Sequence, residues 1–531
     1  MNNYVETDNP GFVSLSELIP SSLEIFIEEI DSLASRGMVP LLFFGMAISE
    51  SLHLPDNLYG KGNSKKRDIL LIAAMSNREK KKITILSGLA SRGDSFNSLT
   101  PTHPRFHLFE RELMEEWNIT PINHPWLKPV RRKTSEIFPD EYGKSRKKEI
   151  PDKKDLYNFL RMEGTQIHQV AVGPVHAGVI EPGHFRFQCQ GENVFHLEIQ
   201  LGYQHRGIEE LMIGSTPHRA LKLAESIAGD TCIGHGWACA MIMETLAKQE
   251  PLEASHQLRA IALEMERAAI HIGDLGALGG DIAYMMAPSI FADTRTRIIN
   301  STLLLCGNRF GRNLLTPGGV SSLPDSETVK KVIAALEFAL NKASSTAEIM
   351  FDSASVLSRM ENTGVISATD ADTIGLVGPA GRASGLAVDV RLDHPWSVYR
   401  STDAFSGKQN YKQTGDVLSR ALIRYLETVD SLKFSISHLE KFDTYSISNA
   451  NPERPFALRS NGLSIALTEG WRGEIAHCGI TDSKGNFTRY KIKDPSFNNW
   501  HGLAMAVRTN GISDFPLCNK SFNLSYCGHD L

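Results

Sequence analysis

A run of charge and proline between residues 128 and 154 sets the architecture open to this 531-residue chain. It holds Arg131-Arg132-Lys133, Lys144, Arg146-Lys147-Lys148 and Lys153-Lys154, interleaved with Pro129, Pro139 and Pro151. Such a stretch offers no apolar face to bury and is punctuated by helix breakers, so 128–156 reads as a charged linker. The chain is therefore expected to form two units, residues 1–127 and 157–531.

The first unit has the pattern of a small α/β domain. Leu23, Ile25, Phe26, Ile30 and Leu33 fall near helical spacing over 21–35, and the apolar runs 39–45, 68–75 and 82–87 read as strands. A further helix is predicted over 104–117. Helical patterning dominates the second unit, over 216–248, 252–286, 289–314, 325–360 and 413–440. Alternation around Gly191-Glu192-Asn193 predicts a hairpin over 184–200. Two further strand-like stretches, 462–467 and 473–493, predict a hairpin turning near Lys484-Gly485. A helix over 498–508 precedes a tail containing Gly and Pro. The run Gly276-Ala277-Leu278-Gly279-Gly280 lies inside a helical pattern and suits close helix packing.

Composition removes several function classes. A net charge of −5 gives no basic face for nucleic acid. The N-terminus lacks a basic segment followed by an apolar one, so no secretory signal is expected. No apolar run approaches the roughly 18 residues of a membrane span. The longest, Cys232 to Met243, contains His235. The seven cysteines (189, 232, 239, 306, 478, 518 and 527) include no Cys-x-x-Cys pair. They form neither a disulfide framework nor the grouped set of four that an iron–sulfur cluster requires. No Gly-x-Gly-x-x-Gly follows a strand, so nicotinamide binding is not expected either.

An ordered series of motifs carries a specific resemblance. Phe109-Glu110-Arg111-Glu112, Asn118-Ile119 and His124-Pro125 resemble the signature of the C-type subunit of respiratory complex I, with Asn118 where Gly is usual. Further on stand Gly173-Pro174-Val175-His176, Glu181-Pro182-Gly183-His184-Phe185 and the run Leu201 to Glu209. After these come Pro317-Gly318-Gly319-Val320, the run Val377 to Gly385, Asp393-His394-Pro395, Gly470-Trp471-Arg472-Gly473-Glu474 and Asp494-Pro495-Ser496-Phe497. From about residue 165 onward this series resembles the D-type subunit of complex I. It also resembles the large subunit of group 4 membrane-bound nickel–iron hydrogenases, the formate hydrogenlyase type. The resemblance implies an α+β chain: a small N-terminal α/β domain, then a large, mainly helical hydrogenase-large-subunit-like domain with peripheral β-hairpins.

The resemblance also shows what is missing. Hydrogenase large subunits hold nickel with two Cys-x-x-Cys pairs. Here the first pair falls on Ala228 and Thr231, and the second on Leu524 and Cys527. Nickel needs about four soft thiolates, so no metal ligand set is expected, and His529 beside Cys527 reads as packing. With only Asp530 and Leu531 after His529, no maturation cleavage is expected. In complex I the metal-free cavity becomes the headgroup end of a quinone site, lined by a His and a Tyr. The His candidates here are His176 and His184; the Tyr position is Gly229, leaving Asp230 or Tyr203 for the second proton. The family places a proton-passing carboxylate at Glu209, whose pKa burial would raise, with an ion pair to Arg206 or His205 as the structural alternative. Arg382 projects toward the same cavity in hydrogenases, and Asp393-His394 stands as a charge relay paired with it.

The resulting expectation is a subunit of a membrane-associated, complex I-like oxidoreductase. It would couple electron transfer, from NADH or ferredoxin toward quinone, to ion or proton translocation without nickel–iron chemistry. Partners implied are a small iron–sulfur subunit holding a 4Fe-4S cluster and antiporter-like membrane subunits. The chain itself would bind no cofactor beyond a candidate quinone, and would sit peripherally on the cytoplasmic face of the inner (plasma) membrane. The alternative is a non-catalytic scaffold or proton-conducting connector. An active formate hydrogenlyase subunit is the reading least compatible with the cysteines.

Overall fold

The computed structural model describes residues 3–48, 68–131, 157–402, 405, 413–442 and 456–531. Most of the expected 128–156 linker lies outside the described residues. Its first four residues are packed: Lys128 pairs with Glu198 and Arg131 with Glu112.

Four long helices form the centre of the larger unit: Glu253–Asp281, Met286–Cys306, Ser326–Phe351 and Val417–Glu440. The first has 29 residues and is about 44 Å long at 1.5 Å per residue. It packs along both the second and the fourth. The glycine run permits this: a side chain at Gly279 would strike Ala287, 2.6 Å away, and one at Gly276 would press on Phe291. Side-chain caps fix the helix starts. Asp325 accepts from the Thr328 amide at 2.7 Å and Asp416 from that of Ser419 at 2.8 Å.

The expected helix over 216–248 is two helices, Pro217–Ala224 and Cys232–Ala247. The break at 225–231 falls on the first lost thiolate pair, and the Cys232–Ala247 helix is buried on all sides. The predicted 325–360 helix likewise divides at 352–353. In the N-terminal unit Asn118 caps the helix His107–Trp117 at φ 54°, the left-handed conformation that Asn tolerates.

Two sheets meet across the N-terminal and C-terminal parts of the chain. Strands Lys82–Ala90, Ile69–Asn77 and Val39–Ala47 run side by side in a five-stranded sheet, with Val39–Ala47 at one edge. Both of its faces are covered, so nearly every residue in these strands is buried. The second sheet runs Phe487–Lys493, Gly473–Thr481, Gly462–Gly470 and then Gly11–Ser14. The expected turn at Lys484-Gly485 is present, and a tighter one at Trp471-Arg472 makes three strands of the predicted two stretches. The fourth strand comes from the first 15 residues, with Leu463 opposite Val13. The hairpin His184–Gln190/Asn193–Gln200 forms as predicted and adds a third strand, Ile167–Val172. The tail past the helix Pro495–Ala506 folds into two short helices that the sequence did not announce, Phe515–Phe522 and Tyr526–Asp530.

Candidate functional site

The segments that carry metal in a hydrogenase still meet here, joined by arginines. Arg206 donates to the carbonyls of Ser226 and Ile227 at 2.7 and 2.8 Å, and to that of Cys527 at 3.3 Å. Arg472 forks onto Asp230 at 2.7 and 2.8 Å while its Nε reaches the Asn523 carbonyl at 2.6 Å. A bidentate guanidinium–carboxylate pair is a rigid clamp. The donor set does not fit nickel. Ala228 and Leu524 are buried hydrocarbons, Thr231 is a hydroxyl, and burial raises the Cys527 thiol pKa. Among the described residues no three His, Cys, Asp or Glu side chains converge on a metal position. Cys232, one residue beyond, donates to the Gly229 carbonyl, and burial pushes its pKa up to about 12. Such thiols are inert.

Beside this junction lies a cavity of about 590 Å³. The Glu253–Asp281 helix supplies its floor through Gly273, Asp274 and Gly280; Asp230, Arg295, Lys520 and Asn523 supply polar walls. Asp281 and Lys520 pair at 2.5 Å on its rim. Asp274 accepts from Asn523 at 2.6 Å and from Arg424 at 2.8 Å. A Cβ at Gly229 would meet nothing within 4 Å, so the position of the missing phenol is open space.

Of the predicted site residues, Asp230 alone reaches this cavity. His176 is exposed, its Nδ1 accepting from the Gly178 amide in a local turn. His184 hydrogen-bonds the Gly173 carbonyl and Arg186, and desolvation lowers its pKa. Both read as structural.

The expected grouping of Glu209, Arg382 and Asp393-His394 is not formed. Glu209 faces Lys491 at 3.1 Å and Arg489 at 3.7 Å, and accepts from the Ile492 amide at 2.9 Å. Its pKa is lowered, because those cations outweigh desolvation; the expected raised value is corrected. Neither is its partner Arg206 or His205. Asp393 pairs with Arg78 at 3.3 Å near the surface, where burial raises its pKa to about 6. His394 bonds Ser76 at 2.6 Å, and desolvation lowers its pKa to about 4. This His is a clasp between the two units, since Asn9 also donates to its carbonyl at 2.8 Å.

Arg382 is at the heart of a different constellation. It reaches Glu427 at 2.7 Å, Glu469 at 2.8 Å and Asp389 at 3.6 Å. Arg391 joins Asp389 at 2.7 Å to Glu264 at 3.2 Å, and Arg267 bonds Glu264 at 3.0 Å. His271 meets Glu427 at 2.9 Å. Close backbone contact aims Arg382 here: a Cβ on Gly378 would collide with the Arg472 carbonyl, so only glycine brings the two family motifs together.

Sequence reasoning also missed a buried chain of hydrogen bonds. Asp494 and His235 stand 3.0 Å apart, His235 and His477 3.0 Å, and His477 and Tyr490 3.0 Å. Asp494 lies directly under Gly528, next to Cys527. The Asp494-Pro495-Ser496-Phe497 motif was the available signal.

Comparison with known proteins agrees with this architecture. Residues 281–530 match the family model described as Respiratory-chain NADH dehydrogenase, 49 Kd subunit. The carbon monoxide-induced hydrogenase of Rhodospirillum rubrum is 28% identical over 364 residues, 67% of this chain and 97% of the relative. Hydrogenase-4 component G of Escherichia coli (strain K12) is 25% identical over 479 residues, 85% of this chain and 79% of that one. The C/D fusion protein of NADH-quinone oxidoreductase from Bacteroides thetaiotaomicron is 25% identical over 451 residues, 80% of each. A chain in the structure of the membrane-bound sulfane sulfur reductase, an archaeal respiratory membrane complex, shares the fold. Its TM-score is 0.63 at 22% identity, over 69% of this chain and 99% of that one. The resemblance to both D-type and hydrogenase large subunits therefore holds, as does the α+β class. Relatives span oxidoreductase complexes of both kinds. No helix among the described residues is long and apolar enough to cross a membrane.

Proposed function

We propose that this chain, related at once to the 49 Kd subunit of respiratory NADH dehydrogenase and to membrane-bound hydrogenases, is the acceptor-side subunit of a complex I-like oxidoreductase complex that moves ions without nickel. Electrons arrive from a 4Fe-4S cluster in a small partner subunit, and antiporter-like membrane subunits hold the assembly on the cytoplasmic face of the membrane. The observation that carries this reading is the polar 590 Å³ cavity opening beside the thiolate-free 225–231 turn. Its volume lies within the range of small-molecule sites. Lys520, Arg295 and Asn523 are donors suited to the carbonyl oxygens of a quinone-type acceptor, and Asp281 is the nearest carboxylate to recharge Lys520 with a proton.

A specific observation favours the connector as second reading. The Asp230 carboxylate is fully engaged by Arg472, and no phenol stands at Gly229, so the two groups closest to the turn are not free to protonate an acceptor. Metal analysis and redox titration of the purified complex with a quinone analogue separate the possibilities. Acceptor reduction that Asp281→Asn weakens supports the first reading, and an analogue that neither binds nor is reduced supports the connector. Nickel near one atom per chain sinks both.

A further inference from the structure

The constellation around Arg382 has an odd number of charges. Four buried carboxylates, Glu264, Asp389, Glu427 and Glu469, face three buried guanidiniums, Arg267, Arg382 and Arg391. Two of the three neighbouring carboxylates are already matched. On the strand after Glu469, Glu474 is held by Lys493 at 2.6 Å. On the helices behind, Asp274 is held by Arg424 at 2.8 Å. Asp430 and Lys433 share the Val417–Glu440 helix, and burial raises the Asp430 pKa. An unmatched carboxylate in a site this dry takes a proton instead of remaining charged. His271 is the competing acceptor, but its Nδ1 is buried with no hydrogen-bond partner, so the imidazolium would leave a charged donor unsatisfied.

Position adds to the count. His271 and Arg267 project to the cluster from the same Glu253–Asp281 helix whose Gly273, Asp274 and Gly280 line the cavity. Cavity and cluster therefore draw on one helix, and Asp274 of the cavity wall stands one turn from His271 of the cluster. Asp393 is the carboxyl standing between the cluster and the surface: the Asp389 backbone amide holds it at 3.3 Å, and it meets Arg78 in a half-buried pair.

We propose that Glu264, Asp389, Glu427 and Glu469 hold one proton in common, carried on Glu469. This store is loaded and emptied through Asp393 as charge changes in the cavity that the same helix lines. The step needs no reagent beyond water: an O–H bond forms on Glu469 as one is given up at Asp393, and reversal restores both. The group in question is the one whose burial already favours the neutral form, with a pKa raised to about 7. The coupling to the cavity rests on the electron-transfer reading above; the proton itself does not.

Infrared titration of the intact purified chain tests the store directly. A protonated-carboxyl stretch is expected at pH 6 and lost by pH 9, and Glu469→Gln should remove one group's worth of it, leaving that of Glu266, whose pKa burial raises to about 8. Absence of the band throughout that range in the native chain, or a band undiminished in the variant, overturns the proposal. Should the variant not fold, transfer of the native chain and of Asp393→Asn to deuterated water decides the route. Deuterium should shift the band several-fold more slowly in Asp393→Asn, and equal rates overturn entry through Asp393. In the assembled complex, reduction should change the band. A titrating band that reduction leaves untouched overturns the coupling alone, whereas a complex that reduces no acceptor fails the functional reading and leaves the store standing.

Discussion

Two buried glutamates in this molecule have opposite electrostatic fates. Glu209 is ringed by Lys491, Arg489 and Arg131, with an amide from Ile492, and its pKa falls below the usual carboxylate range. Glu469 lies as deep, yet every guanidinium near it is shared with Glu427, Glu264 or Asp389, and its pKa climbs to about 7. Desolvation opposes charge at both sites; the ratio of cations to carboxylates decides the sign. A carboxylate motif thus says nothing about proton exchange until its partners are counted.

The largest effects should come from removing a cation at each site. Lys491→Met takes a shared cation from Glu209 and Glu112, leaving them Arg489 and Arg131, and should cost about 3 kcal/mol in denaturant unfolding, with little change between pH 6 and 8. Arg382→Met should cost a similar amount at pH 8 but clearly less at pH 6, where Glu469 is protonated. Equal pH behaviour of the two variants would break the comparison. Next, Glu209→Gln should lose about 2 kcal/mol at pH 8, because Lys491 keeps a weaker partner, while Glu469→Gln should stay within about 1 kcal/mol of the native chain.

The pH dependence carries the signs. Because Glu469 has a raised pKa, its stabilising contribution is present at low pH and is lost as pH rises from about 4.5 through 7. The stability difference between native chain and Glu469→Gln should therefore fall with pH in that window, by at most about 1.4 kcal/mol per unit. Glu209 has a lowered pKa, so its contribution is fully present above about 4.5 and is lost as pH falls below that and the carboxylate is protonated. Histidines act on the acid side as well. Desolvation lowers His124 and His501 to about 4. Their cost to the folded state grows as pH drops from 6.5 toward 4, and His501→Asn should flatten that arm of a thermal-melting profile. The smallest effect belongs to Asp393→Asn, under about 1 kcal/mol, since its pair with Arg78 is part-exposed.

Much of this architecture was legible in the sequence because periodicity and glycine reflect local physics. The long helices, the 184–200 hairpin and the Asn118 cap required only spacing and backbone preference. The candidate site was legible in outline only. Motifs located Arg382, Asp230 and Glu209 along the chain, but their roles depend on partners contributed from far away, such as Glu427 and Glu469 for Arg382. The pairing of Asp494 with His235 spans 259 positions, and no local pattern encodes it. The short tail helices escaped for another reason: at eight and five residues they are held by tertiary packing and carry little intrinsic periodicity.

The pairing of Gly11–Ser14 with Gly462–Gly470 has a consequence for synthesis. Until the last seventh of the chain emerges from the ribosome, Gly11–Ser14 lacks the strand it pairs with, and Gly462–Gly470 has one edge filled by Gly473–Thr481 and the other open without it. A fragment beginning at residue 157 would present Gly462–Gly470, a strand of wholly buried residues, as a bare sheet edge. Separating the two units should therefore yield a sticky product prone to edge-to-edge association. Keeping both units on one polypeptide guarantees that the C-terminal sheet meets its missing strand at high effective concentration.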